Sequence, residues 1–290
     1  MMKKFLLFLA VTLVCFVSCE SYKYDPELET LLKVGKNFEY KYSDFELYDS
    51  SSHILYFKTA HPELSFEKTQ GFSFLAEGKE VYHGVFLPGP SSYIPSGPFI
   101  FSSPSIYPDY LLKIECFIDV NNSDLRNDPT IIEALRDHDL FHPGLSVVIN
   151  SVSKNGSQLI FSYTVTNNDQ SDLLILDQDK LGINLYHYFT NGLNIRDLKD
   201  NSMVFESKIE YQKPSPWNGW EPGWLSKISS GDSRTFVINY PLVSPLNPGE
   251  YSAFFEFPGL HYQVSKDQLI QNDGRIWLGG VSTTKKITIQ

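Results

Sequence analysis

From residue 38 onward, apolar and polar side chains alternate in short runs. Phe38, Tyr40 and Tyr42 take alternate positions around Glu39 and Lys41, the period of a strand with one face in a core. Similar runs predict strands over Ile54–Lys58, Gly71–Ala76, Val81–Leu87, Phe99–Ser102 and Leu111–Val120. In the last of these, Leu112, Ile114, Cys116, Ile118 and Val120 share a face opposite Lys113, Glu115 and Asp119. That pattern predicts Cys116 as a buried, unreactive core thiol. The Pro-, Gly- and Ser-rich stretch from Pro88 to Pro98 reads as a loop.

One helical pattern interrupts the strands. Asp128 is placed to cap it, Pro129 suits its first position, and Ile131, Ile132 and Leu135 supply an apolar stripe. The helix is expected over about 129–140, ended by His142-Pro143-Gly144, with a domain boundary there. A second series of strands follows: Leu145–Val152, the Asn155-Gly156 turn, then Gln158–Thr166 with Leu159, Phe161, Tyr163 and Val165 on one face. Further strands are expected at Leu173–Leu176, Leu181–Tyr188, Met203–Tyr211, Ser233–Tyr240, Glu250–Phe257 and Thr283–Ile289. Ser265 and Gln268 form a capping-box pattern, which predicts a short helical insertion. The fold class is therefore all-β, with two sandwich-like domains and one short helix near their boundary.

Leu246-Asn247-Pro248-Gly249-Glu250-Tyr251 resembles the turn and tyrosine that precede a late strand in fibronectin- and immunoglobulin-like domains. The resemblance covers roughly 145–290, rests on strand count and turns, and lacks the paired cysteines of antibody domains. It implies a tyrosine hydroxyl bonded back to the chain near the turn. It implies no activity, because fold does not carry function.

The N-terminus has a different pattern. Lys3 and Lys4 precede 13 residues, Phe5–Val17, that are apolar apart from Thr12. This is the layout of a secretory signal, and the run is too short to span a bilayer. Phe16-Val17-Ser18-Cys19 resembles the lipobox of bacterial lipoproteins, with Phe16 where that family usually has Leu. In the family the cysteine is acylated and becomes the mature N-terminus. The resemblance thus implies a signal peptide over 1–18, lipid on Cys19 and residence in the outer membrane of a Bacteroidetes-like envelope. Residues 19–36 then read as a tether, 37–143 as a β-rich first domain and 144–290 as the immunoglobulin-like sandwich.

Charge and cysteine content narrow the partners. Loss of Lys3 and Lys4 leaves 22 basic against 34 acidic residues, taking the formal charge from −10 to −12. An acidic chain with no basic cluster is a poor match for nucleic acid or for a polybasic membrane grip. With Cys15 in the signal and Cys19 on lipid, Cys116 has no cysteine to pair with.

Three of the four tryptophans fall within Trp217-Asn218-Gly219-Trp220-Glu221-Pro222-Gly223-Trp224. Indole faces stack on sugar rings and anchor protein interfaces. Trp217, Trp220 and Trp224 are the candidate binding platform, with Asn218 and Glu221 placed to bond hydroxyls. The alternative is that the loop folds back and its indoles close the end of the sandwich.

Other chemistry is weaker. Asp119–Asp124 opens like a calcium loop, but Asp124 and Thr130 stand where Gly and a bidentate Glu belong. His138 and His142 have helical spacing without the Glu of a zinc motif. No nucleophile elbow, phosphate loop or dinucleotide fingerprint is present. No metal, cofactor or catalytic residue is assigned. Three functions stay open: a non-catalytic envelope protein binding a glycan or another envelope protein, a scaffold or inhibitor-like module, and a hydrolase without a sequence motif.

Overall fold

The computed structural model describes residues 29–36, 38–61, 71–88, 93, 95–103, 107–117, 124–207, 209–260 and 264–290. The signal segment, Cys19 and residues 119–123 of the acidic turn lie outside the described residues. The fold is mostly β and sandwich-like, built from several sheets of which none closes.

The first half contains β1 (Thr30–Val34), β2 (Phe38–Lys41), β3 (Phe45–Asp49), β4 (Ile54–Phe57), β5 (Gly71–Ala76), β6 (Lys79–Pro88), β7 (Pro98–Ser103), β8 (Leu111–Lys113) and β9 (Glu115–Cys116). Helix α1 (Pro129–Asp137) and β10 (Phe141–His142) complete it. One sheet has the order β2-β1-β5-β6-β7-β9 and the other β10-β3-β4-β8. The second half comprises β11 (Leu145–Asn155), β12 (Gln158–Asn167), β13 (Leu173–Leu176), α2 (Gln178–Leu181), α3 (Ile183–Phe189), β14 (Asn194–Asp197), β15 (Met203–Glu206) and β16 (Leu225–Ile228). It ends with β17 (Ser233–Pro241), β18 (Gly249–Phe257), β19 (Ile270–Gln271), β20 (Gly274–Ile276) and β21 (Val281–Ile289). Its sheets run β11-β12-β17, β16-β13-β20-β19 and β15-β14-β18-β21.

Strand pairing stays on one side or the other of Pro143-Gly144, yet packing does not. Every residue of β4 and of β13 is buried, the mark of strands covered on both faces. Leu55 and Phe57 face the core of the first half, while Ile54 and Tyr56 face a middle core. Leu173 and Ile175 face the core of the second half, while Leu174 and Leu176 face the same middle core. The two halves are thus fused through a shared apolar layer. At its margin Arg275 Nη2 reaches Asp169 at 2.9 Å and Asp49 at 3.5 Å, with its guanidinium over the Tyr56 ring. Tyr110 donates to the Val264 carbonyl at 2.8 Å, and Lys266 Nζ to the Phe57 and Lys58 carbonyls.

Several expectations need correction. The expected tether over 19–36 holds β1, whose Leu31, Leu32 and Val34 are buried between β2 and β5. Leu31, Leu32 and Val34 put three apolar side chains into a segment paired on both sides, which makes it a strand despite Lys33 and the polar stretch that precedes it. The expected strand 181–188 is helical. Asp177 caps α2 by accepting from Asp179 N–H, and Gly182 at φ +75° separates α2 from α3. The expected strand 111–120 breaks at Ile114, and its pieces β8 and β9 join different sheets. Cys116 is consequently only half-buried. The helix expected to about 140 stops at Asp137, because Asp139 turns left-handed at φ +56° and Phe141–His142 pairs in parallel with β3.

Other local devices stand where the pattern placed them. Asp128 accepts from Thr130 N–H at the start of α1, and Ser265 with Gln268 forms a capping box on a short 3₁₀ turn. The Tyr251 hydroxyl donates to the Asn247 carbonyl at 2.9 Å.

Candidate functional site

The helical segment α2–α3 lies against the edge of β17, which pairs with no strand on that side among the described residues. Gln178 Nε2 donates to the Val237 carbonyl at 2.9 Å, satisfying an acceptor that the sheet leaves open. Tyr163 Oη, buried in the core, lies 3.0 Å from Gln178 Oε1 and 3.1 Å from Tyr186 Oη. These contacts hold α3 in place, and its C-terminal end forms one wall of a surface cleft.

The cleft has a volume of about 540 Å³. Its floor includes His187, whose Nδ1 lies 2.8 Å from the Ile183 carbonyl and Nε2 3.3 Å from the Tyr240 hydroxyl. A carbonyl only accepts, so Nδ1 carries the proton and Nε2 accepts from Tyr240. Burial pushes the His187 pKa below its ordinary value, against a smaller opposing effect of the Ile183 carbonyl. The ring is neutral there and serves the frame. Thr190 Oγ1 donates to the Glu256 carbonyl at 2.7 Å and accepts from Gly192 N–H at 3.1 Å, joining the end of α3 to β18. Gly192 sits at φ +68°, and a Cβ there would lie 2.8 Å from His187 Nε2, so the backbone approach requires glycine.

The opposite wall comes from the connection between β15 and β16. Asn184 Nδ2 donates to the Glu210 carbonyl at 2.7 Å, and Gln212 N–H to the Asn184 carbonyl at 3.0 Å. This pins the connection beside α3 and brings Tyr211 to Tyr188, with ring centroids 6.2 Å apart at 50°. The Tyr188 hydroxyl donates to the Trp217 carbonyl at 3.2 Å. Gly219 N–H donates to the Pro216 carbonyl at 2.7 Å, closing a turn with Trp217 and Asn218 at its tip. Trp217 is 62% and Tyr211 55% exposed, while both line the cleft. Lys213, Asn191 and Glu256 add a cation, an amide and a carboxylate in solvent.

The three loop tryptophans therefore divide. Trp217 is exposed on the cleft; Trp220 and Trp224 are half-buried against the middle core, Trp224 with its ring 6.1 Å from Phe189. Asn218 and Glu221 are exposed beside them but do not line the cleft. Of the five predicted binding residues, only Trp217 enters the cleft. Its other working groups, Tyr188, Tyr211, Lys213, Asn191 and Glu256, come from separate segments that show no common motif. The one hint was local: Tyr211 and Lys213 immediately precede the proline-rich stretch.

The remaining candidates serve structure. Asp124 accepts from Arg126 N, Nε and Nη2 rather than opening toward a cation. His138 stacks on Tyr42 at 3.8 Å, whereas His142 Nδ1 meets Asp169 at 2.8 Å, so the two do not converge. Among the described residues no group of three or more His, Cys, Asp or Glu side chains is placed to hold a metal ion. Nor is any described helix long and apolar enough to cross a membrane.

No protein-family description and no curated protein matches the chain. Among solved structures, half of the chain (50%) is similar to a β-glucosidase from Listeria innocua in complex with glucose, at 11% identity and a TM-score of 0.21. A β-glucosidase from Erythrobacter marinus, EmGH1, is similar over 51% of the chain, at 13% identity and a TM-score of 0.22. The chain spans only 16% and 15% of those two proteins. The C-terminal domain of wzt is similar over 51% of this chain and 75% of its own length, at 16% identity and a TM-score of 0.24. At such scores none of these likenesses bears on function.

Proposed function

We propose that this chain is a lipid-anchored protein of the bacterial outer membrane, acylated on Cys19, whose immunoglobulin-like second half binds carbohydrate without catalysing a reaction. The observation that carries the binding reading is the cleft beside α3, where exposed aromatic rings stand next to a cation, an amide and a carboxylate. Sugars combine apolar C–H faces with hydroxyl edges, and rings beside polar groups match both. The anchoring reading is supported by Lys3, Lys4, the apolar run Phe5–Val17 and the lipobox-like Phe16–Cys19. The Tyr251–Asn247 bond supports the immunoglobulin-like reading.

Glu256 is the one carboxylate among the lining residues of the cleft. Glycoside hydrolysis of the common kind takes two, roughly 5–10 Å apart, so the cleft favours binding over turnover. A structural role is favoured only for the far end of the tryptophan loop, where Trp220 and Trp224 meet the middle core.

Two measurements test the proposal. Cys19→Ser should abolish acyl labelling and release the protein from the membrane fraction; membrane partitioning unchanged by the substitution, with no label on the wild type, would overturn the anchor. On a glycan array the wild type should show saturable binding that Trp217→Ala weakens, and a blank array with folded protein would overturn the ligand class.

A further inference from the structure

We infer that the ligand of the cleft is a single, soluble, uncharged glycan chain, as opposed to an anionic polysaccharide or a crystalline surface; this rests on the carbohydrate reading above. The first observation is the angle between rings. Tyr188 and Tyr211 are tilted by 50° at a centroid distance of 6.2 Å, and both line a recess rather than a flat face. A crystalline glycan presents coplanar sugar faces, which two rings at that angle cannot cover together. A free chain can twist so that successive sugars meet differently oriented rings. The recess points the same way, because about 540 Å³ lies within the range of clefts that enclose small ligands, roughly 300–1,000 Å³.

The second observation is charge. The rim carries one cation, Lys213, and one anion, Glu256, and the floor imidazole of His187 is held neutral by burial. The two rim charges offset each other, leaving no net positive field to select carboxylate- or sulfate-bearing sugars. The whole chain is acidic, with 34 acidic residues against 24 basic, which opposes the approach of a polyanion. A cation and a carboxylate lining one recess instead suit hydroxyl groups, which accept from the ammonium and donate to the carboxylate.

Affinity electrophoresis of the detergent-solubilised protein separates the alternatives. The probes are laminarin, xylan, glucomannan and soluble starch as neutral chains, polygalacturonate as the anionic polymer, and a pull-down on microcrystalline cellulose and chitin. At least one neutral soluble chain should retard the wild type. Tyr211→Ala and Trp217→Ala should each weaken that retardation about 10-fold, in line with the loss of one stacking ring. Glu256→Gln should weaken it, and any retardation by polygalacturonate should appear only in this variant, where Lys213 is no longer offset. Binding confined to polygalacturonate and lost in Lys213→Ala would overturn the uncharged class while leaving the carbohydrate reading intact. Capture by cellulose or chitin that depends on Trp217 would overturn the single-chain inference alone. Neutral-chain binding untouched by Tyr211→Ala and Trp217→Ala would remove it from this cleft. Retention by none of the probes, with the variants and wild type equally folded, would overturn the inference and the reading beneath it.

Discussion

The cleft beside α3 and the seam between the two halves are both made from aromatic rings and charged groups, under opposite solvation. At the seam Arg275, Asp49 and Asp169 are buried, Arg275 at 5% exposure, and the guanidinium lies over Tyr56. In the cleft Lys213, Glu256, Tyr211 and Trp217 stand in water. Buried charges have lost their water and must be satisfied by each other, which ties three distant segments into one geometry. Solvated charges and rings stay accessible to something that arrives later. The same side-chain chemistry therefore locks one region and leaves the other available.

The largest expected effect comes from breaking the lock. Arg275→Met removes the guanidinium from buried Asp49 and leaves Asp169 with His142 alone, and should cost about 3–5 kcal/mol, read as a lower urea midpoint. Adding Asp49→Asn and Asp169→Asn to Arg275→Met should recover part of that loss. A single substitution costing under about 1 kcal/mol would erase the contrast with the cleft, where surface changes are worth about that little.

Acid probes a second buried cluster close to the seam. His53 is buried with its Nδ1 2.7 Å from the Tyr48 hydroxyl and Nε2 3.6 Å from Asp124. Burial, reinforced by the Arg126 charge, pushes its pKa down to about 3 despite Asp124. The folded value lies below the unfolded one of about 6.5, so the unfolded chain takes up protons first as pH falls. Stability should be fully present above about pH 6.5 and decline toward pH 3, by on the order of 2–3 kcal/mol between pH 7 and pH 4. His53→Asn suits the left-handed backbone there, at φ +54°, and should flatten the profile measured by denaturant titration across pH. An unflattened profile would move the acid sensitivity elsewhere.

The tryptophan loop carries the comparison within eight residues. Trp224→Ala removes a half-buried indole from the middle core and Phe189, and should cost about 2 kcal/mol. Trp217→Ala should change stability by less than about 0.5 kcal/mol while weakening glycan retention. Equal melting temperatures for the two variants would deny the division between seam-facing and cleft-facing rings.

The smallest effect concerns Cys116. Burial raises its thiol pKa, with Arg126 opposing more weakly, so little thiolate forms at neutral pH. Ellman's reagent should label it in the folded state, more slowly than a free thiol by about tenfold. Complete protection until unfolding would restore the fully buried thiol that simple alternation predicts.

Legibility followed the range of the interaction. The β11–β12 hairpin was readable because Leu159, Phe161, Tyr163 and Val165 alternate beside a turn at Asn155-Gly156. The structure places Gly156 at φ +58° in that turn, between the paired Asn155 and Gln158. Leu111 and Leu112 show where periodicity failed. Both are buried, because their strand is covered on two faces by different cores, and a one-face rule misreads the residues that follow. The segment 181–188 failed for a local reason: its apolar spacing fits either period, and the cap at Asp177 with Gly182 decides for helix.

By itself, then, the sequence determined the β class, the start of α1 at Asp128-Pro129 and the capping box at Ser265, while the resemblance to immunoglobulin-like domains implied the tyrosine bond of Tyr251 to Asn247. Each depends on periodicity or on a hydrogen bond spanning no more than a few residues, so the partners are adjacent in the chain before folding. Only tertiary structure decided that Arg275 would meet Asp49 across 226 positions. It alone turned Trp217 outward and Trp224 inward, and brought Tyr188, Tyr211 and Glu256 to one recess. Those choices follow from which sheet faces are left uncovered once the strands have paired, and burial of the remaining apolar faces selects the arrangement without any local signal.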